Sequence, residues 1–274
     1  MALDPIFLTQ IYELALNTAK EAGALIKAKR NNGNLTNQYK GAHELVTDAD
    51  IAADQLIINR IRAVFPQHRF LTEETYNDTS ESHDLSTPIW IIDPIDGTVN
   101  YAHGHQMVAV SIAFACENEV QIGLVYNPFM DETFSAIRGQ GAHLNGCKIK
   151  ASQETNLRKA LVATGFPYDK SGVAPIIQRV AKILMHCQDL RRLGSAALDI
   201  CWVACGRLDV YFESLSPWDF AAARLVAHEA GAQCGHFGHK PTDIPACIYP
   251  NDLLIASPAL FEKTRELLRE ASGY

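Results

Sequence analysis

The sequence lacks a basic excess: 24 Lys and Arg stand against 31 Asp and Glu, a formal net charge of −7. Without a positive field nothing draws in a polyanion, so nucleic acid and anionic membrane surfaces are not expected partners. Long apolar runs are lacking as well. No stretch approaches the roughly 20 consecutive apolar residues of a membrane span, and the N-terminus shows no charged region followed by an apolar core and a cleavage site. A cytoplasmic protein with no membrane partner is the default expectation. Missing too is the evenly spaced cysteine set of a disulfide scaffold. The seven cysteines (116, 147, 187, 201, 205, 234 and 247) are an odd number without framework spacing, which points to reduced thiols. Cys201 and Cys205 are one helical turn apart, but such cysteines are usually small core residues. Cys234-Gly-His236-Phe-Gly-His239 gathers soft ligands, yet no second pair accompanies it at zinc-finger spacing, so it reads as a loop. No internal repeat or low-complexity linker divides the 274 residues, a length that can bury a sizeable core.

What the chain does have is carboxylates placed where strands end. Ile89 to Ile92 reads as a buried strand that stops abruptly in Asp93-Pro94-Ile95-Asp96-Gly97-Thr98. Pro94 supplies no N–H, and Gly97 lets backbone come close to whatever the carboxylates hold. Hard divalent cations want oxygen ligands, and Mg²⁺ favours a few carboxylates plus waters and substrate phosphate over a closed cage. If Thr98 opens a helix, the Gly97 and Thr98 N–H groups favour an anion at the same spot. An Asp-rich turn capping a strand would explain a bare pair of aspartates equally well; the full string is far more specific.

Around this centre the chain reads in order. Residues 7–29 form an amphipathic helix with Ile11, Leu14, Ala15, Ala22 and Leu25 on one face and Thr18 as its small polar member. A second helix starts near Thr47 to Asp50, carries Ile51, Leu56, Ile57 and Ile61, and stops at Pro66. Asp48 and Asp50 in its first turn suit the helix dipole without further explanation. Phe70 to Thr72 is a short strand leading into Glu73-Glu74, and residues 76–88 read as a polar loop placed to act as a lid. Val108 to Cys116, Val120 to Tyr126 and Glu132 to Arg138 form an antiparallel meander, with Asn145-Gly146 as a hairpin signal. Beyond it, strands near 161–164, 208–212 and 253–256 alternate with helices near 174–186, 195–205, 218–230 and 258–271, a layered α/β pattern. Ser216-Pro217 starts the third of these helices, placing Asp219 in its first turn.

Asp93-Pro-Ile-Asp96-Gly-Thr98-Val-Asn-Tyr and Ser216-Pro-Trp-Asp219-Phe-Ala-Ala-Ala together resemble the two signatures of the inositol monophosphatase family, Mg²⁺-dependent and Li⁺-sensitive phosphatases. Val46-Thr-Asp-Ala-Asp50, Thr72-Glu73-Glu74 and Leu193-Gly194-Ser195-Ala196-Ala197 fall in the family's order, so the resemblance covers nearly the whole chain. It implies an α+β / α/β sandwich of alternating α-β-α-β-α layers, with antiparallel sheet in about residues 1–150 and an α/β half in about 151–274. The whole chain is expected to form one compact phosphatase domain and to assemble as a homodimer. By resemblance, Glu73, Asp93 and the Ile95 carbonyl hold one ion and Asp93, Asp96 and Asp219 the second, two or three Mg²⁺ in all. Thr98, backed by Asp50, would orient or deprotonate the attacking water, with Glu73 also in the catalytic set. Gly97 and Thr98 would cradle phosphate, Gly194, Ser195 and Ala196 would line the substrate surface, and Glu213 would accept substrate hydroxyls.

The implied reaction is hydrolysis of a small phosphate monoester, inositol 1-phosphate in the first instance. Fructose bisphosphatases, nucleotide 3′-phosphatases and histidinol phosphatases share the metal carboxylates, but Val99-Asn100-Tyr101 looks like the inositol branch, where nucleotide phosphatases tend to have Lys-Glu-Phe. The usual Gly-Phe-Pro is replaced by Gly104-His105-Gln106, which sets an altered pocket rim as the expectation. A regulatory protein that kept the fold and lost the chemistry is the competing class; it should lack a ligand, yet Glu73, Asp93, Asp96, Thr98 and Asp219 are all present.

Overall fold

The computed structural model describes residues 4–32, 37–40, 44–74, 84–167 and 170–273. Helix α1 (Pro5–Asn31) starts where the Asp4 carboxylate accepts the Ile6 N–H, with proline at the first position. It buries Ile11, Ala15, Thr18, Ala22 and Ile26. A short antiparallel hairpin, β1 (Asn37–Lys40) and β2 (Glu44–Thr47), leads into α2 (Asp48–Val64). There follow β3 (Arg69–Thr72), β4 (Ile89–Asp96), the single-turn α3 (Thr98–Ala102), β5 (Ala109–Cys116), β6 (Glu119–Asn127), β7 (Glu132–Ile137), β8 (Ala142–Leu144) and β9 (Cys147–Lys148). The second half comprises β10 (Leu161–Thr164), α4 (Val173–Leu184), β11 (Asp189–Arg191), α5 (Ala196–Ala204), β12 (Val210–Glu213), α6 (Pro217–Glu229), β13 (Gln233–His236), β14 (Leu253–Ala256) and α7 (Pro258–Ser272).

Strands β3 to β9 form a seven-stranded sheet in sequence order. All its pairings are antiparallel, as expected of this half, except β3 with β4, which is parallel. The second sheet has the order β11-β10-β12-β14-β13 and is mixed. Helices α1 and α2 cover the outer face of the large sheet, α5 and α6 fill the space between the sheets, and α4 and α7 cover the outer face of the small one. The molecule is therefore an α-β-α-β-α sandwich. Because β4 and β5 are covered on both faces they are buried along their whole length, which is why they read as apolar runs rather than alternating ones. Trp90, Ile92, Ile112 and Phe114 face α1 and α2, while Ile89, Ile91, Ala113 and Ala115 face the central helices.

Several expectations are adjusted. Gln233–His236, read as loop, is an edge strand paired only with β14; one exposed side and a glycine in its middle erase the usual pattern. Strands β1, β2 and β11 were not expected. Ile51 points outward at 39% exposure, while Ala53, Ile57 and Ile61 carry the buried face of α2. The loop expected over 76–88 falls largely outside the described residues. Among the described residues no helix is long and apolar enough to cross a membrane.

Candidate active site

The site grows from the irregular end of β4. The β4–β5 ladder pairs Asp93 with Ser111 and Asp96 with Ala109, and its register shifts by one between them because Pro94 and Ile95 stand opposite the single Val110. The Asp93 Oδ1 accepts the Ile95 N–H at 2.9 Å, which fixes the carboxylate against its own turn. Gly97 then takes φ 96°, and a Cβ there would lie 2.8 Å from the Met107 carbonyl oxygen and 3.0 Å from that of Gly194. Only glycine allows these loops to meet. Thr98 opens α3, so the N–H groups at this turn have no acceptor within the helix.

Two central helices aim their N-termini at the same place. At α5 the Ser195 side chain caps the helix by accepting the Leu198 N–H at 3.3 Å, and its hydroxyl donates to the Asp96 carboxylate at 2.5 Å. The Ala196 and Ala197 N–H groups donate to the same carboxylate at 3.2 and 2.9 Å. Asp96 therefore occupies the positive end of α5 itself. At α6 the Asp219 carboxylate accepts the Ser216 N–H at 2.8 Å across the first turn. Glu73 follows β3, with its N–H donating to the Ile92 carbonyl at 3.2 Å, and its carboxyl is within hydrogen-bonding reach of Asp93.

A cavity of about 430 Å³ lies between these ends and is lined by Glu73, Asp93, Ile95, Asp96, Gly97, Thr98, Gly194, Ser195, Ala196, Glu213 and Asp219. Asp50 sits behind the wall: its Oδ1 accepts from the Thr98 hydroxyl at 3.1 Å, and its Oδ2 takes the Thr47 N–H at 2.8 Å and the Thr47 hydroxyl at 2.6 Å. The Ile95 carbonyl is also 3.1 Å from the Thr98 hydroxyl. On the far side Glu213 receives the Tyr211 hydroxyl and the Gly165 N–H. A Cβ at Gly165 would fall 2.1 Å from the Glu213 carboxylate, so a larger residue there would displace that carboxylate.

Burial and mutual repulsion raise every carboxyl pKa resolved here. Asp93 is pushed well above the carboxylate range, first by burial and then by the charges of Glu73, Asp96 and Asp219. Asp96 is also raised by burial, although the donors from Ser195, Ala197 and Ala196 oppose the shift. Burial lifts Asp50 to about 6 against its Thr47 hydrogen bonds, and lifts Glu213 to about 7 against the Tyr211 hydroxyl and the Arg192 charge. Among the described residues no three His, Cys, Asp or Glu already close up as a ready-made metal cage. The carboxylates ring an open cavity instead, Asp93 and Asp219 tethered to their own turns and Asp96 to the start of α5.

The structure brings all the sequence-derived site residues to this cavity, with Asp50 one layer back. Ser195 and Ala196 spend hydrogen-bond donors on Asp96, so they position a carboxylate as well as lining the wall. His105 and Gln106 are not part of the lining, contrary to the expected altered rim. The His105 carbonyl is held by Arg30 at 2.7 Å and that of Gln106 by Asn127 at 2.9 Å, turning this segment toward α1 and the β6 end. Sequence reading missed Arg192 and Asp199, which also line the cavity. Asp199 could have been flagged as the one acid among Leu198, Ile200, Cys201 and Val203. The soft-ligand clusters make protein contacts: Cys205 lies 3.6 Å from the Trp202 carbonyl, and the His236 Nδ1 is 2.8 Å from the Asn251 carbonyl.

Comparison with known proteins gives a consistent family. Residues 8–272 match the inositol monophosphatase family. Inositol monophosphatase 2 of Solanum lycopersicum is 42% identical over 227 residues, 81% of this chain and 85% of that protein. Nus factor SuhB of Escherichia coli K12 is 40% identical over 232 residues, 83% of this chain and 86% of that protein. The solved inositol monophosphatase from Anabaena superposes with a TM-score of 0.81 at 32% identity, covering 97% of each chain. With matching signatures at the ends of β3, β4 and α6 and a match from residue 8 to 272, the chain belongs to the inositol monophosphatase family.

Proposed function

We propose that the protein is a Mg²⁺-dependent phosphomonoesterase that hydrolyses inositol 1-phosphate to inositol and phosphate. The observation that carries this reading is the convergence of Glu73, Asp93, Asp96 and Asp219 on one cavity. The donor set fits the ion: it is all oxygen, and it crowds like charges around the buried Asp93, an arrangement that a hard cation relieves. Glu73, Asp93, Asp96, Asp219 and the Ile95 carbonyl would hold the metal. When bound, Mg²⁺ supplies charge neutralisation on the phosphate and leaving oxygens and lowers the pKa of a bound water.

The chain's own residues do the rest. Thr98 Oγ1 takes a proton from the attacking water as its own proton moves to Asp50 Oδ1, which at about 6 is ionised and receptive at neutral pH. The Gly97 and Thr98 N–H groups take phosphate oxygens, since the α5 terminus is committed to Asp96. Glu213, anchored by Tyr211 and Gly165, accepts hydroxyls of the polyol. The assembly we propose is a homodimer in the cytoplasm, checked by sedimentation and fractionation.

The test is phosphate release with Mg²⁺, and with chelator, over inositol 1-phosphate, fructose 1,6-bisphosphate, adenosine 3′,5′-bisphosphate and histidinol phosphate. Preference for the inositol ester with loss under chelation supports the proposal; preference for another substrate moves it within the superfamily. The similarity to a protein named as a Nus factor favours one other reading, a regulatory protein on this fold. Metal-dependent turnover of none of the four esters would favour that one.

A further inference from the structure

We propose that Asp199 is a second hydroxyl-recognising carboxylate of the cavity, acting beside Glu213 to select phosphate esters whose alcohol carries neighbouring free hydroxyls. This deepens the phosphatase reading and rests on it for the reaction, though not for binding of the polyol. Asp199 lies in the first turn of α5, where the helix dipole suits an acid, and is 2% exposed. Helix packing gives no reason for an acid there, since its neighbours Leu198, Ile200, Cys201 and Val203 are buried and apolar. Nor is Asp199 the cap of α5: Ser195 caps the helix, and the Ala196 and Ala197 N–H groups go to Asp96.

The Asp199 Oδ1 is buried and has no hydrogen-bond partner, a costly state for an acceptor unless a donor arrives with the ligand. Burial, then the charges of Asp96 and Glu213, push the Asp199 carboxyl well above the ordinary range, opposed by Arg192, which also lines the cavity. A carboxyl keeps an acceptor oxygen whether it is ionised or protonated, and a hydroxyl is the donor a polyol offers. Glu213 already holds two protein donors, Tyr211 and Gly165, so its orientation is fixed. Asp199 faces the same space with capacity unspent. Two acceptors lining one cavity match two hydroxyls of one ring, and a partner lacking a hydroxyl would leave a buried acceptor unpaired.

The experiment compares wild type with Asp199→Ala and the shape-conserving Asp199→Asn, measuring kcat and KM for inositol 1-phosphate and for 4-nitrophenyl phosphate, together with thermal melting. The expected result is a fall of about tenfold or more in the ratio of kcat/KM values, polyol over aryl, arising mainly in KM, with the Asn variant between Ala and wild type. An unchanged ratio in a folded variant overturns the proposal, as do equal losses on both substrates accompanied by a lower melting temperature, the mark of a structural role. If Asp199→Ala does not fold, the ratio for Asp199→Asn decides alone. If the wild type releases no phosphate, the phosphatase reading fails by itself. Calorimetric binding of myo-inositol to wild type and variant then decides: weaker binding by the variant supports the role of Asp199, and equal affinity refutes it.

Discussion

Glu213→Gln should stabilise the metal-free protein at high pH relative to low pH. Glu213 is drawn up from an ordinary 4.5 to about 7, chiefly by burial. Between those two values the folded state holds a proton that the unfolded chain has released, so stability falls as pH rises from about 4.5 through about 7 and levels off above. Full ionisation of such a group costs about 3 kcal/mol, and about 2 kcal/mol is a fair figure for a side chain that meets solvent on its cavity side. Glutamine removes the charge and keeps one carbonyl for the Tyr211 hydroxyl or the Gly165 N–H, losing one acceptor worth about 1 kcal/mol at any pH. The variant's stability relative to wild type should therefore improve by about 2 kcal/mol between pH 5 and pH 8. Urea unfolding of both proteins in chelator at the two pH values measures this directly. A stability difference independent of pH, or one that moves against glutamine on going to pH 8, would refute the reasoning. The same substitution should raise KM for inositol 1-phosphate more than for an aryl phosphate, because the group is asked to hold the alcohol and not the phosphorus.

Asp93→Asn should reduce kcat by about a thousandfold or more at saturating Mg²⁺, with a higher melting temperature in chelator because it removes one of four crowded charges; near-full activity would remove Asp93 from the metal site. Gly97→Ala should cost about 2–4 kcal/mol in urea unfolding, from the positive φ and the contacts with Met107 and Gly194, and should lower phosphate turnover; wild-type stability would show that the loops can part. Lithium should inhibit uncompetitively with respect to substrate and be relieved by Mg²⁺, since the ion is expected at the second metal position among Asp93, Asp96 and Asp219 after substrate has bound. Rates over a grid of substrate, Mg²⁺ and Li⁺ test this, and competition with substrate would contradict it.

The parts legible in the sequence are those whose local chemistry is decisive. The apolar run ending at Asp93 marks β4 because a strand buried on both faces has no polar alternation to blur it. Ser216-Pro217 marks the start of α6, and Thr47 that of α2, because capping is a local matter. Strands β11 and β13 were hidden because each lies at a sheet edge with a single partner, where one side of the backbone faces away from the ladder and polar residues are tolerated. The carboxylates Glu73, Asp93, Asp96 and Asp219 were legible through their motifs. Asp199 carries no motif, and its meaning depends on an acceptor left unpaired beside Glu213, which only the packing of α5 against β12 reveals. Ser195 was legible as part of Leu193-Gly194-Ser195-Ala196-Ala197, but not the reach of its hydroxyl across 99 positions of sequence to Asp96.

That long reach ties the chemistry to the assembly of the sandwich. Asp96 belongs to the large sheet, while every donor that orients it comes from the start of α5, and Asp219 arrives on α6 from the same central layer. Those two helices are also the filling between the sheets, sharing one core with both. The carboxylate ring therefore exists only when the two sheets are packed on the central helices, and the unfolded chain offers no equivalent. In the metal-free state the ring stores unfavourable charge, seen in the raised pKa of Asp93 and Asp96. A cation that binds the ring and not the unfolded chain returns about 2.7 kcal/mol at a hundred times its dissociation constant. Site formation and packing of the central layer are thus one linked equilibrium, in which ion binding tightens the sandwich and a loosened sandwich weakens ion binding.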